Sequence, residues 1–240
     1  MHKKARVSVV IPTFNRSTTI TRALNSVFQQ SVPAYEIIVV DNGSDDDTVE
    51  VINSEYPSVK ILHEKKPGVS AARNLGIKAS TGNWVALLDS DDEWMPNKLE
   101  QQKRVINSSQ EAWLCHTNEI WIRNGVRVNQ MKKHQKYGGD VFENCLDICR
   151  ISPSSALIKK EVFETVQFHD TLWPGEDAEF DIRLIKNGFK ILYAPDVIVW
   201  HHRRSRPIPF LRQMFNYGKT RAQVTRMHPD SSVSYTHLTL

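Results

Sequence analysis

The chain has 240 residues, which suits one large domain or a domain with a tail, and its 40% hydrophobic content can form a sizeable core. A formal net charge of +4 is too small to require a nucleic-acid partner, so we expect none. The cysteines Cys115, Cys145 and Cys149 lack paired spacing, which argues against a disulfide framework. No apolar stretch is long enough to span a membrane. We therefore expect a cytoplasmic protein.

Strand and helix patterns alternate over the first part of the chain. Short apolar runs predict strands at residues 7–11, 35–40, 59–63 and 84–88. Helical spacing predicts a helix capped by Ser17 and running to Phe28, and further helices at residues 45–56 and 69–79. Because the strands are short and almost wholly apolar, and helices separate them, we expect a parallel sheet covered by helices on both faces.

The pattern changes beyond Pro96. Asn124–Gly125 is a hairpin turn signal, and Asn187–Gly188 is typical of the end of a helix. The predicted elements are, in chain order, a helix at 97–106, strands at 112–122 and 126–131, short helices at 141–149 and 160–166, a helix at 177–186, late strands at 190–194 and 197–200, and a basic amphipathic helix at 208–227.

Polar side chains follow the predicted strands where each strand ends. Residues 12–16 follow the first strand, residues 41–47 the second, and Asp89, Asp91 and Asp92 the fourth. In a parallel sheet these ends share one edge and converge on one crevice. Three carboxylates at the exit of a buried strand are costly unless they are satisfied, and a divalent cation on a phosphate-bearing ligand satisfies them. The alternative is a helix N-cap at Asp92.

The sequence lacks two common phosphate-binding loops. There is no G-x-G-x-x-G after the first strand, where Pro12 and Phe14 would crowd a pyrophosphate turn, and there is no G-x-x-x-x-G-K-[ST] loop. An aspartate, hydroxyls, an arginine and an acid pair nevertheless suit a nucleotide diphosphate. We therefore expect a metal ion, and not a glycine loop, to handle the phosphates.

Five motifs in order along the chain resemble the family 2 glycosyltransferases, which have a GT-A fold. The resemblance covers about residues 8–202. The motifs are VVIPTFNR at 9–16, VVDNGS at 39–44, GVSAARNLG at 68–76, LLDSDD at 87–92 and GED at 175–177. The resemblance implies an α/β, GT-A-type nucleotide-sugar-binding fold with a mainly parallel central sheet, helices on both faces and a C-terminal basic amphipathic helix.

The resemblance also implies a nucleotide-sugar pocket. Asp41 would accept a hydrogen bond from N3–H of a uracil or thymine base, and Asp89 would face the ribose. Arg73 would lie near the nucleotide; an ion pair with Asp41 or with the acid cluster is the alternative. The residues that would bind the nucleotide sugar are Pro12, Thr13, Asn15, Arg16, Asp41, Arg73, Asp89 and Ser90.

The metal and the base are implied in the same way. Asp91, with Asp89, would bind Mg²⁺ or Mn²⁺, and His201 or His202 would complete the metal shell, although a core or surface histidine is the ordinary interpretation. The catalytic pair would be Asp177 and Glu176, with Asp177 as the base; the alternative is negative charge at a helix N-terminus.

The expected function is metal-dependent, inverting transfer of a sugar from a nucleotide-diphosphate sugar, most simply a UDP-sugar, to an acceptor hydroxyl. The setting would be cell-envelope polysaccharide or glycolipid synthesis, because the basic tail resembles that of family members that act on lipid-linked or cell-envelope acceptors. A single in-line displacement needs one base and no second carboxylate nucleophile. The alternatives are a non-catalytic nucleotide-sugar-binding homologue and a nucleotidyltransferase, which normally has a glycine-rich phosphate loop near its first strand.

The predicted organisation is a GT-A domain at residues 1–202, with a nucleotide-binding half at about 5–95 and an acceptor half at about 96–202, and a basic tail at 203–232. The tail predicts peripheral contact with an anionic membrane at its inner face; alternatively, it packs onto the domain and binds a phosphorylated acceptor. Residues 233–240 resemble translated adapter DNA, so we expect a longer natural chain. The basic residues are Arg203, Arg204, Arg206, Arg212, Lys219, Arg221 and Arg226.

Overall fold

The computed structural model describes residues 5–109, 111–130, 134, 136, 151–202 and 207–229. Several features predicted from the sequence lie outside these residues. They are the helix at 141–149 with Cys145 and Cys149, the end of the strand at 126–131, the arginines at 203, 204 and 206, and residues 233–240.

Strands and helices alternate up to β4 and then follow a mixed order. The strands are β1 (Val7–Thr13), β2 (Glu36–Asp41), β3 (Lys60–His63), β4 (Trp84–Leu87), β5 (Glu93–Trp94), β6 (Leu114–Arg123), β7 (Val126–Val128), β8 (Leu157–Lys159) and β9 (Ile191–His202). The helices are α1 (Ile20–Phe28), α2 (Thr48–Glu55), α3 (Val69–Ala79), α4 (Lys98–Asn107), α5 (Glu176–Lys186) and α6 (Pro207–Met227). Two 3₁₀ helices cover Pro153–Ser155 and Lys160–Glu164.

The described strands form one sheet in the order β3-β2-β1-β4-β8-β6-β9-β5, with β7 paired to β6. The half from β3 to β4 is parallel, β8 runs antiparallel between β4 and β6, and β6 and β9 are parallel. Alternate residues of β1 enter different cores: Val9 packs with Leu24 and Val10 packs with Ala72. Helices therefore cover both faces, which confirms the predicted α/β architecture.

The first strand continues through Pro12, where the sequence predicted its end. Pro12 pairs with Val40 of β2, but β4 pairs only with residues up to Val10. The missing N–H of Pro12 therefore costs no ladder bond to β4. The predicted helix cap at Ser17 is wrong, because α1 begins after Thr19 and the Ser17 N–H donates to Asp46 instead.

The two late strands predicted at 190–194 and 197–200 are one strand, β9. Its pairing with β6 shifts between Thr117 and Asn118, which face Ala194 and Ile198 respectively. The extra residues on β9 include Pro195, which cannot donate to the ladder, so they form a bulge and not a break.

The C-terminal half of α6 packs on α5. Val224 shares a small apolar cluster with Leu172 and Ile182, and His228, just beyond the helix, lies 3.2 Å from Glu179 of α5. Thr220 and Val224 are buried one turn apart, so this side of α6 faces the domain. In the part of the chain that the structure describes, no helix combines the length and the hydropathy needed to cross a bilayer.

Candidate functional site

The loops that follow β1 and β2 are interlocked. The Asn42 N–H donates to the carbonyl of Thr13, the Asn15 N–H to Ser44 Oγ at 2.9 Å, and Asn15 Nδ2 to Asp45. Asn15 has a positive φ of 52°, a conformation that asparagine tolerates better than most residues. The convergence of strand ends predicted from the sequence is therefore present in these two loops.

Asp41 lies at the carboxyl end of β2, directly opposite Thr13 of β1. Its buried carboxylate accepts N–H bonds from Gly43 and Ser44, and His63 Nδ1 lies 3.4 Å away. Thr13 is also buried, and its Oγ1 has no hydrogen-bond partner among the described residues. A buried hydroxyl without a partner next to a carboxylate is a place where a polar ligand gains a hydrogen bond.

Arg73 connects the acid cluster to the N-terminus of α5. The guanidinium is buried; it donates to Asp89 at 2.7 Å and to Glu176 at 2.9 Å. These two carboxylates raise its pKa further above the ordinary arginine value, against the opposing effect of burial. Of the two ion pairs left open by the sequence, Arg73 forms the one with the acid cluster and not the one with Asp41.

The two acids of the GED motif have different environments. Gly175, at φ 100°, precedes α5, so Glu176 and Asp177 both lie in its first turn. Glu176 is buried, and desolvation together with the charge of Asp177 raises its pKa to about 7 despite the nearby Arg73. Asp177 is half-buried, and its carboxylate accepts a local hydrogen bond from the Ala178 N–H at 2.8 Å. Asp177 is therefore the more accessible of the two acids.

Asp92 does not cap a helix, so the N-cap interpretation is wrong. Residues Glu93 and Trp94 form β5, which pairs with β9, and the next helix begins at Lys98. The buried Asp92 carboxylate instead accepts from Ser154 Oγ at 2.6 Å and from the His202 N–H at 3.0 Å, with His201 Nδ1 at 2.9 Å.

Asp91 carries the least satisfied negative charge in the cluster. Its best-placed cation is Arg16, at 3.4 Å, and burial and the neighbouring Asp92 and Asp89 raise its pKa. His201 lies close enough for its charge to oppose that rise, whereas His202 Nε2 lies 3.6 Å from Glu93.

The side chains present fit a Mg²⁺ or Mn²⁺ ion that shares its coordination with a phosphate. Among the described residues, no three His, Cys, Asp or Glu side chains form a cage around one point. Mg²⁺ is usually held by one or two carboxylates plus substrate phosphates and not by such a cage. The Asp91 carboxylate, which Arg16 approaches only to 3.4 Å, can supply the hard oxygen donor that this arrangement requires.

Sequence reasoning missed two buried polar groups near this cluster. Ser154 Oγ holds Asp92 and also accepts from the Asp89 N–H at 3.1 Å. Glu119 of β6 is buried; Lys136 and His201 lower its pKa to about 2, against the opposing effect of burial. Neither residue lies in a recognisable motif, and each reaches the site only through the pairing of distant strands.

Solved structures share this fold. The crystal structure of S. aureus TarS 1-349 with UDP superposes with a TM-score of 0.70 at 22% identity, over 92% of this chain and 69% of that one. The mannosyltransferase PcManGT from Pyrobaculum calidifontis, with GDP-Man and Mn²⁺, gives a TM-score of 0.71 at 17% identity, over 95% and 65%. At these identities the similarity establishes the GT-A fold.

Relatives found by sequence are named as glycosyltransferases. AmsB, an amylovoran biosynthesis glycosyltransferase of Erwinia amylovora, is 30% identical over 85% of this chain and 72% of its own length. WfgD of Escherichia coli, a UDP-Glc:α-D-GlcNAc-diphosphoundecaprenol β-1,3-glucosyltransferase, is 29% identical over 68% and 63%. An uncharacterized glycosyltransferase of Rickettsia bellii is 31% identical over 73% of this chain.

This chain spans between 26% and 29% of the length of three Rickettsia relatives, which are much longer proteins. The family model described as Glycosyl transferase family 2 matches residues 8–167, which include all but the first residue of β1, all of β2 to β8 and every site motif up to the acid cluster. The chain therefore belongs to glycosyl transferase family 2.

Proposed function

We propose that this protein transfers a sugar from a nucleotide-diphosphate sugar to an acceptor hydroxyl, in the synthesis of an envelope polysaccharide or glycolipid. The observation that carries the proposal is the Arg73 bridge between Asp89 and Glu176. It joins the acid cluster expected to hold the donor to the loop that carries the candidate base. Relatives named for amylovoran biosynthesis and for a diphosphoundecaprenol acceptor support the same class of reaction.

The donor site is suited to a uracil nucleotide. Asp41 is an acceptor-only carboxylate, and it sits beside the unpartnered hydroxyl of Thr13, which can donate or accept. Uracil N3–H and a flanking carbonyl oxygen present one donor and one acceptor to such a pair. TarS, which shares the fold, was crystallised with UDP, so we propose a UDP-sugar as the donor.

The metal ligands would be Asp91 and Asp89, with His201 as a third protein ligand. The Asp92 carboxylate next to His201 Nδ1 is the usual outer contact that orients a metal-binding imidazole. When bound, a divalent cation neutralises the charge that develops on a departing diphosphate. PcManGT, with the same fold, was solved with Mn²⁺.

The chain's own acids and arginine perform the remaining steps. Asp177 would accept the proton of the acceptor hydroxyl, because it is the more accessible carboxylate of the pair. Glu176 holds Arg73 and thereby positions the first turn of α5 relative to Asp89. With one base and no carboxylate nucleophile, the displacement would proceed in line and invert the anomeric centre.

The test is a thermal-shift panel of UDP-, dTDP- and GDP-sugars with and without Mn²⁺, followed by assay of donor hydrolysis. We expect a UDP-sugar with Mn²⁺ to raise Tm most. A ligand that binds only the folded state and is present at a concentration about 100 times its Kd stabilises that state by about 2.7 kcal/mol. Asp91→Asn should abolish the Mn²⁺-dependent part of the shift and the hydrolysis.

The matched control is Asp196→Asn, which removes an exposed acid from the bulge of β9. It should behave like the wild type. Full activity in EDTA, or in Asp91→Asn, would contradict the metal assignment. A protein whose Tm responds to no sugar nucleotide would contradict the proposed function as a whole.

A further inference from the structure

Trp173 is exposed directly after a buried residue, Leu172. It exposes 60% of its surface, although Leu172 before it is 4% exposed and packs against Ile182 and Val224. A single exposed aromatic side chain is ordinary on a protein surface. The position of Trp173 is less ordinary, because it precedes the candidate base Asp177 by only four residues.

The backbone that carries Trp173 is held from the donor side of the molecule. Asp170 accepts hydrogen bonds from Asn74 Nδ2 and from Lys66 Nζ, both at 2.8 Å. Asn74 also bonds both backbone groups of Phe168. Because these hydrogen bonds fix the backbone of the folded protein, a ligand that binds the exposed indole needs to order little of this loop.

The distance to Asp177 suits a ligand in the acceptor position. Four residues of extended chain span at most about 14 Å, and the turn at Gly175 and the start of α5 shorten this path. A hydroxyl that gives its proton to Asp177 must lie within hydrogen-bond reach of that carboxylate, about 3 Å. The path from the indole to the reacting hydroxyl is therefore within the span of a short oligosaccharide.

The surroundings of Trp173 favour a carbohydrate over a lipid chain. Thr171 and Asp170 precede it, and Lys66 binds Asp170, so the loop that carries the indole also carries polar side chains. A lipid chain needs a continuous apolar patch. A pyranose ring offers an apolar C–H face to an aromatic ring and hydroxyls to the polar groups around it, which matches this mixture.

We propose that Trp173 is a stacking platform for a pyranose ring of the acceptor, so that the acceptor presents a sugar residue beside Asp177. This inference rests on the proposed function and names the substrate class for its second site. It assigns to Trp173 a direct contact with the acceptor, while Leu172 and Asp170 fix the position of its backbone.

Saturation-transfer NMR on the whole chain tests the proposal, with UDP and Mn²⁺ present. The probes are methyl β-D-glucoside, methyl β-D-galactoside and methyl N-acetyl-β-D-glucosaminide, and glycerol serves as a polyol without a ring face. We expect transfer to the C–H protons of one ring face of at least one glycoside and none to glycerol. Trp173→Ala should raise the glycoside Kd about tenfold or more, and Trp173→Phe should restore most of the affinity.

Tyr35→Ala is the matched control, because Tyr35 is 51% exposed but lies at the amino end of β2, the opposite edge of the sheet. It should leave the glycoside signals unchanged. Unchanged signals in Trp173→Ala, or no glycoside signal in a wild type that binds UDP, would overturn the proposal. Loss in Trp173→Ala of binding to phosphatidylcholine vesicles, without glycoside signals, would assign the ring to lipid and also overturn it.

The failure of this inference is distinguishable from failure of the proposed function. Each variant is also titrated with UDP by thermal shift. A wild type that binds no sugar nucleotide contradicts the proposed function itself. A wild type that binds UDP and hydrolyses the donor, with glycoside binding independent of Trp173, contradicts only the stacking platform.

Discussion

Arg73 fixes the charge balance between the two parts of the site. An arginine cannot lose its proton when buried, so its positive charge persists at every working pH. Its two partners lie on different elements: Asp89 follows β4, and Glu176 lies in the first turn of α5. Removing one partner of a buried pair leaves an uncompensated charge, which typically costs about 3–5 kcal/mol. We therefore predict a structural role for Glu176 and a catalytic role for Asp177.

Asp177→Asn tests that division of roles. We expect turnover to fall by about 10²–10⁴-fold, the usual contribution of a general base. The Kd for UDP should change little, because the Asp177 carboxylate bonds to the neighbouring Ala178 N–H and, among the described residues, not to the loops after β1, β2 or β4. Steady-state kinetics and a UDP titration on the same variant separate the two effects. Loss of UDP binding with retained turnover per bound donor would instead indicate a structural role.

Alanine substitutions at two glycines can test whether α6 packs on α5. Gly175 and Gly188 flank α5, and both have positive φ, 100° and 73°. A Cβ at Gly175 would lie 2.8 Å from Thr220 Cγ2 of α6, whereas a Cβ at Gly188 would meet nothing within 4 Å. Alanine at Gly188 should cost about 1–2 kcal/mol through backbone strain alone.

Gly175→Ala should cost that amount plus about 1–3 kcal/mol of overpacking against α6. Adding Thr220→Ser removes the clashing methyl group and should recover most of the excess. Urea unfolding of the three variants gives the free energies. Equal losses for Gly175→Ala and Gly188→Ala, with no rescue by Thr220→Ser, would show that α6 does not pack against this turn in solution.

Helix α4 begins with a fully buried lysine, Lys98. Its ammonium group donates to Gln102 Oε1 at 2.8 Å and lies 3.9 Å from the centre of the Trp94 ring, yet burial lowers its pKa from 10.5 to about 7. Between these two pH values the unfolded chain holds a proton that the folded chain has released. Stability from this group therefore rises as pH increases from 7 toward 10.5 and is lost as pH falls from 10.5 to 7; below pH 7 both states hold the proton and the dependence ends.

Lys98→Met removes that pH dependence. The free energy of unfolding of the variant, minus that of the wild type, should fall by about 2 kcal/mol as pH rises from 7 to 9, because only the wild type gains stability over this range. The nearby Cys115 does not interfere, since burial raises the pKa of its thiol to about 12. Urea unfolding at both pH values measures the difference. A constant difference across this range would show that Lys98 keeps its proton in the folded state.

Local pattern decided which elements could be predicted from the sequence. Helix α3 has the predicted bounds because its spacing is regular and its start and end signals are clear. The two residues of β5 have no periodic signal and become a strand only by pairing with β9, which lies over a hundred residues away. That pairing brings His201 to Asp92, and the pairing of β8 with β4 brings Ser154 close to it, so the role of Asp92 could not be predicted from its neighbours.

At the scale of the whole molecule, one continuous sheet connects the two halves of the site. The parallel half carries Asp41 and Asp89 at its strand ends, and β8 joins it to the mixed half through β4 and β6. Arg73 makes a second connection across the same boundary. The division of the chain into a domain and a tail stays a prediction, although the contacts of Val224 and His228 tie the end of α6 to the domain.

The last prediction concerns the exposed side of α6. Lys219 and Arg226 are exposed there, as is Phe215 at 76%, while Val224 faces α5. A basic helix with an exposed aromatic residue suits the surface of an anionic bilayer, where each basic residue contributes about 1 kcal/mol. We expect the protein to co-sediment with phosphatidylserine vesicles at low salt and to dissociate from them as salt screens the surface field.

The double variant Lys219→Gln with Arg226→Gln should weaken this binding. The control is Lys60→Gln, which removes an exposed lysine from β3. If the intact protein ignores anionic vesicles at low salt, the basic side chains of α6 are available for a phosphorylated acceptor and not for a membrane.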